Sequence, residues 1–275
     1  MDKQAILEHY RDYGYAVIPG ALSQEEVDKW NSLIDEDLAN TYKGEDTFSF
    51  HVDRQILHKY PQFDGLIRHP KIFPLIQEVL MGQARFAEFN IRELAANVSG
   101  PNNGHDLHRD GSYFDHVGGW LWDPENPYKS SYTCVIYYMN TVHECCPAFY
   151  LVPNSHEFVT IEEAKEKLGD AYREVPIYGE AGTAVLYNIT TYHGRLVKPA
   201  HCTHGRRTLH NYHSRKSWPV LTEHETVPEV LAMSEDEETR KFYSQWTPKQ
   251  IRFARETYSK PVPSYYPQVN PNRQI

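Results

Sequence analysis

Two histidines, one aspartate and an arginine carry the most chemistry in this chain, and their order suits a single metal ion. His108 and Asp110 lie two residues apart in Leu107-His108-Arg109-Asp110-Gly111-Ser112-Tyr113-Phe114. His193 follows about 80 residues later in Tyr192-His193-Gly194, and Gly205-Arg206-Arg207 comes soon after. Two imidazoles and a carboxylate on one face of an octahedral ion leave three positions open, the ligand set of mononuclear iron(II) oxygenases. The same donors suit manganese or zinc, while the lack of a thiolate argues against a structural zinc site. A downstream arginine adds a planar fork matched to a carboxylate.

Competitors for these roles are numerous, because the chain has 15 histidines. His105, Asp106, Asp115 and His116 compete with the first pair; His201, His204, His210 and His213 compete with His193. Bland readings are surface histidines, or buried ones satisfied by the backbone. On a strand only one of Arg206 and Arg207 faces inward. Arg206, Thr208, His210 and Tyr212 would share one face and Arg207, Leu209 and Asn211 the other. The alternation alone does not say which face is inside.

These residues need strands to hold them. Side chains at i and i+2 on a strand share a face, so His108 and Asp110 can reach one ion. Segments 85–96, 132–138, 149–152, 183–187 and 206–213 alternate and are rich in β-branched and aromatic residues, which predicts strands. Separated by Pro, Gly and Asn turns, they suggest a jelly roll or barrel, which would return the chain to bring His193 back beside His108. Ahead of them, 15–20 reads as a short strand ended by a turn. Ser23-Gln24-Glu25-Glu26 is a capping box. Val27, Trp30, Ile34 and Leu38 then recur at helical spacing, and a second helix is predicted over 70–80. Thr160-Ile161-Glu162-Glu163 opens a helical insert, and 234–237 and Thr247-Pro248-Lys249-Gln250 carry helix-start signals. The expectation is one domain over 1–275: a helical flank at 1–82, a β-core at about 83–215 and a helical extension at 216–275.

Composition narrows the class. Hydrophobic residues at 40% and charged residues at 24% fit a globular chain with a real core. A net charge of −9 argues against a nucleic-acid partner and gives no basic tail for anionic lipids. No run approaches a membrane span. The four cysteines, Cys134, Cys145, Cys146 and Cys202, include an adjacent pair and no C-x-x-C. They give no sensible disulfide framework, and a reduced, cytoplasmic setting is expected.

Taken in order, these motifs resemble the phytanoyl-CoA dioxygenase family. Tyr13-Gly14-Tyr15 through Ser23 is similar to its opening strand and helix, and 107–114 to its HxD segment. Pro153-Asn154-Ser155-His156 is similar to its Pro-Gly-Ser-His turn, with Asn in place of Gly; both tolerate left-handed backbone. Gly182-Thr183-Ala184-Val185-Leu186 and Tyr192-His193-Gly194 resemble its distal-histidine segment, and Arg206-Arg207-Thr208-Leu209 its arginine segment. The distal His-Gly is followed by Arg195 where relatives often have Ser, and the His193-to-Arg206 gap is slightly long.

The resemblance implies a double-stranded β-helix (jelly roll, cupin-like), mainly β with flanking helices. It implies iron(II) held by His108, Asp110 and His193, and 2-oxoglutarate as co-substrate with O2. Arg206, rather than Arg207, would grip the far carboxylate, and succinate and CO2 would be released as a substrate C–H bond is oxidised. Asp110 keeps the carboxylate that related halogenases lose, which favours hydroxylation. The expected partner is a small molecule. Arg92, Arg109, Arg195, Lys198, Arg207, Tyr113, Phe114, Trp120 and Trp122 would favour an anionic or aromatic one, although such residues also serve as rim pairs and core. The loop 118–124 is expected to shape specificity. Two alternatives stand: a cupin-like metalloenzyme that does not use 2-oxoglutarate, and a non-catalytic binding protein on the same fold.

Overall fold

The computed structural model describes residues 2–42, 50–96, 105–110, 126–199, 201–215 and 228–243. Helix α1 (Lys3–Tyr13) ends at Gly14, which takes the left-handed φ of 80° that closes a helix. Strand β1 (Tyr15–Ile18) and helix α2 (Gln24–Tyr42) follow. The capping box forms: Glu26 N–H donates to Ser23 Oγ at 3.2 Å, and Ser23 N–H donates to the Glu26 carboxylate at 2.8 Å. Val27, Trp30 and Ile34 are buried and Leu38 packs beside them, as their spacing requires.

The flank continues through β2 (Phe50–Asp53), α3 (Ile56–Lys59), α4 (Asp64–Ile67) and α5 (Phe73–Val79). The helix expected over 70–80 is thus shorter, starting where Pro74 can occupy its first turn. The remaining strands are β3 (Ala84–Leu94), β4 (His105–His108), β5 (Tyr132–Tyr138), β6 (Phe149–Leu151), β7 (Val175–Pro176), β8 (Ala184–Asn188), β9 (His193–Arg195) and β10 (Arg206–Arg215). Helix α6 (Ile161–Leu168) lies between β6 and β7, its Thr160 hydroxyl accepting from Glu163 N–H. Helices α7 (Glu229–Ala232) and α8 (Glu237–Tyr243) come last. Helix α8 starts at the expected 234–237 segment, where the Asp236 carboxylate accepts from Thr239 N–H at 2.8 Å. The expected helix start at Thr247 lies outside the described residues.

The strands form two antiparallel sheets, ordered β1-β8-β5-β10-β3-β2 and β4-β9-β6-β7, in a jelly-roll arrangement that does not close into a barrel. Strand β5 shows how both faces of the large sheet are used. Cys134, Ile136 and Tyr138 join Phe149, Leu151, Val185 and Tyr187 in a core between the sheets. Val135 and Tyr137 join the core formed with α1 to α5. The period of two therefore separates two apolar faces, and β5 is buried throughout.

Cys145 and Cys202 are bonded to each other, with Cα atoms 5.1 Å apart, while Cys134 and Cys146 are free and buried. This corrects the expectation that the cysteines form no pair. Adjacent cysteines at 145 and 146 look unpairable in sequence, and nothing local points to a partner 57 positions downstream.

Candidate metal centre

Strand pairing brings the two histidines together. In β4 and β9, His108 stands directly opposite His193, and their rings lie 4.5 Å apart. Asp110 sits two residues on, just past the end of β4 rather than within it. Its carboxylate approaches His193 Nε2 at 3.5 Å and His108 Nε2 at 3.9 Å. One donor atom from each of the three residues falls within 4.8 Å of the others. Arg109, between them in sequence, turns away. It donates to the carbonyls of Ser155 and Phe158 and lies over the Tyr192 ring at 4.3 Å, anchoring the segment from behind.

The surroundings prepare the donors. His193 Nδ1 contacts the Thr191 carbonyl at 2.8 Å, so Nδ1 carries the proton and Nε2 offers its lone pair. Asp110 Oδ2 accepts from the Tyr187 hydroxyl at 2.6 Å and the Tyr212 hydroxyl at 3.1 Å. Arg92 donates in turn to the Tyr212 oxygen at 3.2 Å and to Asn90 Oδ1 at 3.0 Å. Burial would raise the Asp110 pKa. The His193 imidazole, the Arg92 guanidinium and the Tyr187 hydroxyl outweigh it and hold the carboxyl well below its usual range. Asp110 is therefore a carboxylate, as a cation ligand must be.

The two arginines at the start of β10 separate as alternation requires. Arg207 lies opposite Glu93 of β3 and faces the helices. It makes a two-pronged pair with Glu93 at 2.8 and 3.2 Å and also reaches Asp35 at 2.8 Å. Arg206 lies on the other face and enters the wall of the cavity holding His108, Asp110 and His193, about 460 Å³ in volume. It is 4% exposed, and its Nε has no hydrogen-bond partner among the described residues. Burial, with Arg195 and Arg92 nearby, pushes its pKa down to about 9, so it is still a cation at neutral pH. A buried guanidinium with no acid paired to it among the described residues is suited to receive an anion.

The other residues singled out in the sequence divide. Arg92 and Arg195 line the cavity, Arg109 borders it with its guanidinium held on the Ser155 and Phe158 carbonyls, and Arg195 stacks over Phe50 at 4.9 Å. Lys198 is buried and donates to the Ala96 carbonyl; Arg207 is engaged elsewhere. His210 faces the cavity, but burial and the Arg92 and Arg206 cations hold its pKa well below the usual value, and its Nε2 is 3.1 Å from Thr208 Oγ1. His213 packs between the Phe73 and Phe242 rings, on the helix side. Tyr113, Phe114, Asp115, His116, Trp120, Trp122 and the loop 118–124 lie outside the described residues, as do the side chains of His105 and Asp106. Sequence reasoning misses Tyr187, which holds Asp110, and Phe50 and Arg54 of the cavity rim. Tyr212 is within its reach, since it shares the period-two face with Arg206.

Comparison with known proteins agrees with this architecture. The crystal structure of HygX from Streptomyces hygroscopicus with nickel and 2-oxoglutarate bound has TM-score 0.61 and 16% identity, over 77% of this chain and 87% of that one. The epimerase SnoN from nogalamycin biosynthesis, in complex with Fe3+, alpha-ketoglutarate and nogalamycin RO, gives 0.60 and 14%, over 78% and 83%. The carbocyclase SnoK from the same biosynthesis gives 0.59 and 19%, over 78% and 84%. These likenesses establish the shared jelly-roll fold. No curated protein matches by sequence. The sequence profile of the phytanoyl-CoA dioxygenase (PhyH) family matches residues 10–195, more than half of the chain. On that match the protein belongs to the phytanoyl-CoA dioxygenase family, non-haem oxygenases that depend on 2-oxoglutarate.

Proposed function

We propose that the protein is an iron(II)- and 2-oxoglutarate-dependent dioxygenase that hydroxylates a C–H bond of a small molecule, with His108, Asp110 and His193 as iron ligands and Arg206 as the anchor of the co-substrate. The observation that carries this reading is the pairing of two features in one cavity: a His-Asp-His donor set and a buried arginine whose Nε has no partner among the described residues. Iron, when bound, supplies O2 activation coupled to decarboxylation of 2-oxoglutarate. The protein's share is geometric and electrostatic. His193 is held in the tautomer that exposes Nε2, Asp110 is kept ionised, and Arg206 offers two parallel N–H donors to the distal carboxylate. HygX and SnoN, two proteins of this fold, carry the same co-substrate together with a metal, which supports the assignment.

Hydroxylation is proposed over halogenation because Asp110 retains the carboxylate in the position a halide would need. SnoN and SnoK are named for epimerisation and ring closure, so mass analysis of the product, with 18O2, tests this part. Arg54, Arg92 and Arg195 on the cavity wall and Phe50 at its rim suit a substrate with a negative charge or an aromatic ring. We place the protein in the cytoplasm, a reducing compartment in which the Cys145–Cys202 bond would open to two thiols, with residues 1–275 acting as one domain. In support, Ile6 of α1 and Tyr243 of α8 belong to the same apolar core. No helix among the described residues is long and apolar enough to cross a membrane.

The test is anaerobic titration of iron(II) and 2-oxoglutarate into the wild type and the His108→Ala, Asp110→Ala and His193→Ala variants, read by visible absorption of the chelate. A band in the wild type alone is expected. If iron binds to the wild type and no band develops, the protein is a metalloenzyme that does not use 2-oxoglutarate.

A further inference from the structure

A second set of donor groups gathers away from this cavity, on two loops. One follows β5 and carries His143 and Cys145. The other leads into β10 and carries His201, Cys202 and His204. The two sulfurs and an imidazole nitrogen of His201 lie within 4.8 Å of one another. Beside them the His143 and His204 rings meet edge to face, 4.6 Å between centroids. Cys145 is half-buried and His201 exposed, so an ion could enter from solvent. A third cluster, Asp37, His51 and Asp53, offers no such opening. Lys59 already bridges its two carboxylates at 2.7 and 2.6 Å.

We propose that Cys145, Cys202 and His201 form a second metal site, for zinc, when the protein is reduced. A structural disulfide needs no imidazoles. Two thiolates and one imidazole neutralise and coordinate a soft divalent ion, and this is a zinc donor set. The fourth position would fall to water or to His204, which lies on the same loop two residues past Cys202. His143 is not a candidate, because its Nδ1 accepts the Cys145 N–H at 3.2 Å, which puts its proton on Nε2; it backs the His204 ring instead. The donors come from both loops, so the ion clamps them together. Asn140, just upstream of the first loop's donors, also holds the second loop. Its side chain donates to the Gly205 carbonyl at 3.2 Å and accepts from Arg207 N–H at 2.7 Å. The clamp therefore closes at the end of β10 that presents Arg206.

The two states interconvert by balanced chemistry. A thiol or phosphine reductant supplies two electrons, and with two protons the S–S bond becomes two thiols. Zinc then displaces those two protons as the sulfurs bind it as thiolates. In the oxidised state the sulfurs are bonded to each other and the site is closed.

The experiment is cobalt(II) titration of the full chain, reduced with a phosphine under argon, followed by zinc. Cobalt bound to thiolate gives an intense near-ultraviolet charge-transfer absorption that the oxygen- and nitrogen-only set at His108, Asp110 and His193 cannot give. We expect one equivalent of such absorption, displaced by zinc and retained in His108→Ala. It should be absent from the air-oxidised protein and from Cys145→Ser and Cys202→Ser, with circular dichroism confirming that both fold. His201→Ala should weaken cobalt affinity by at least about 10-fold. The proposal is overturned if reduced protein with four titratable thiols shows no such absorption, if the absorption survives in Cys145→Ser, or if the bond resists reduction in the folded chain. None of these outcomes depends on the function proposed for the first site.

Discussion

Replacing Arg206 by alanine isolates the contact on which the co-substrate assignment depends. The guanidinium is 4% exposed and its Nε has no hydrogen-bond partner among the described residues, so a bound dicarboxylate would supply its counter-charge. Truncating one partner of such a buried, hydrogen-bonded charge pair costs about 3–5 kcal/mol. At about 1.4 kcal/mol per tenfold, 2-oxoglutarate affinity should fall roughly 100- to 4,000-fold. Pyruvate keeps the 2-oxo acid and lacks the distal carboxylate. Its weak binding should not change, so the preference for 2-oxoglutarate over pyruvate collapses by the same factor. Arg206→Lys keeps the charge without the fork and should recover part of the loss.

Arg207→Ala is the internal control. Arg207 pairs with Glu93 and Asp35 on the helix side, so its loss should cost about 1–2 kcal/mol of stability and leave co-substrate affinity within twofold. Anaerobic titration of each variant with iron(II) and either keto acid gives the affinities, and denaturant melts give the stabilities. If Arg207→Ala weakens 2-oxoglutarate and Arg206→Ala does not, the facing deduced from strand register is wrong. If Arg206→Ala weakens both keto acids equally, the arginine does not read the distal carboxylate.

The remaining predictions concern the groups around the site and the core. Tyr187→Phe removes the 2.6 Å bond to Asp110, and iron affinity by chelator competition should fall about 10- to 100-fold while the melting profile changes little. His156 and His213 are buried, and burial lowers their pKa values to about 4 and about 3. The unfolded chain takes up these protons below about pH 6.5 and the folded chain does not, so stability present above pH 6.5 is lost as pH falls toward 4. Two such groups account for about 3 kcal/mol between pH 6.5 and 5, since each unfolded histidine is half protonated at the start and the slope only then approaches about 1.4 kcal/mol per unit, measurable by urea melts at the two pH values. His213→Gln should flatten that dependence by about half. Asn154 holds a left-handed φ of 68°, so Asn154→Gly should leave stability unchanged and Asn154→Ala should cost about 1 kcal/mol in the same melts.

What the sequence reveals about this molecule follows from how far apart the interacting residues lie. The Ser23–Glu26 box, the helical stripe from Val27 to Ile34 and the alternation along 132–138 are local patterns, and each forms the expected element. The facing of Arg206 against Arg207 is local too in its two alternatives. Choosing between them needs β3 as a neighbour, because the register that sets Arg207 against Glu93 is what sends Arg206 into the cavity. The same limit hides Tyr187. It is 77 residues from Asp110, and nothing near either residue signals that a hydroxyl will meet that carboxylate. The spacing of His108 and Asp110 implies a shared strand face, yet Asp110 lies beyond β4. What aims it inward is a set of long-range contacts: Arg109 pinned to the 155–158 turn on one side, Tyr187 and Tyr212 on the other. The spacing of two is therefore necessary for the donor set but not its cause. A chain that kept His108 and Asp110 and lost the two tyrosine hydroxyls and the Arg109 anchor would keep the motif and lose the geometry.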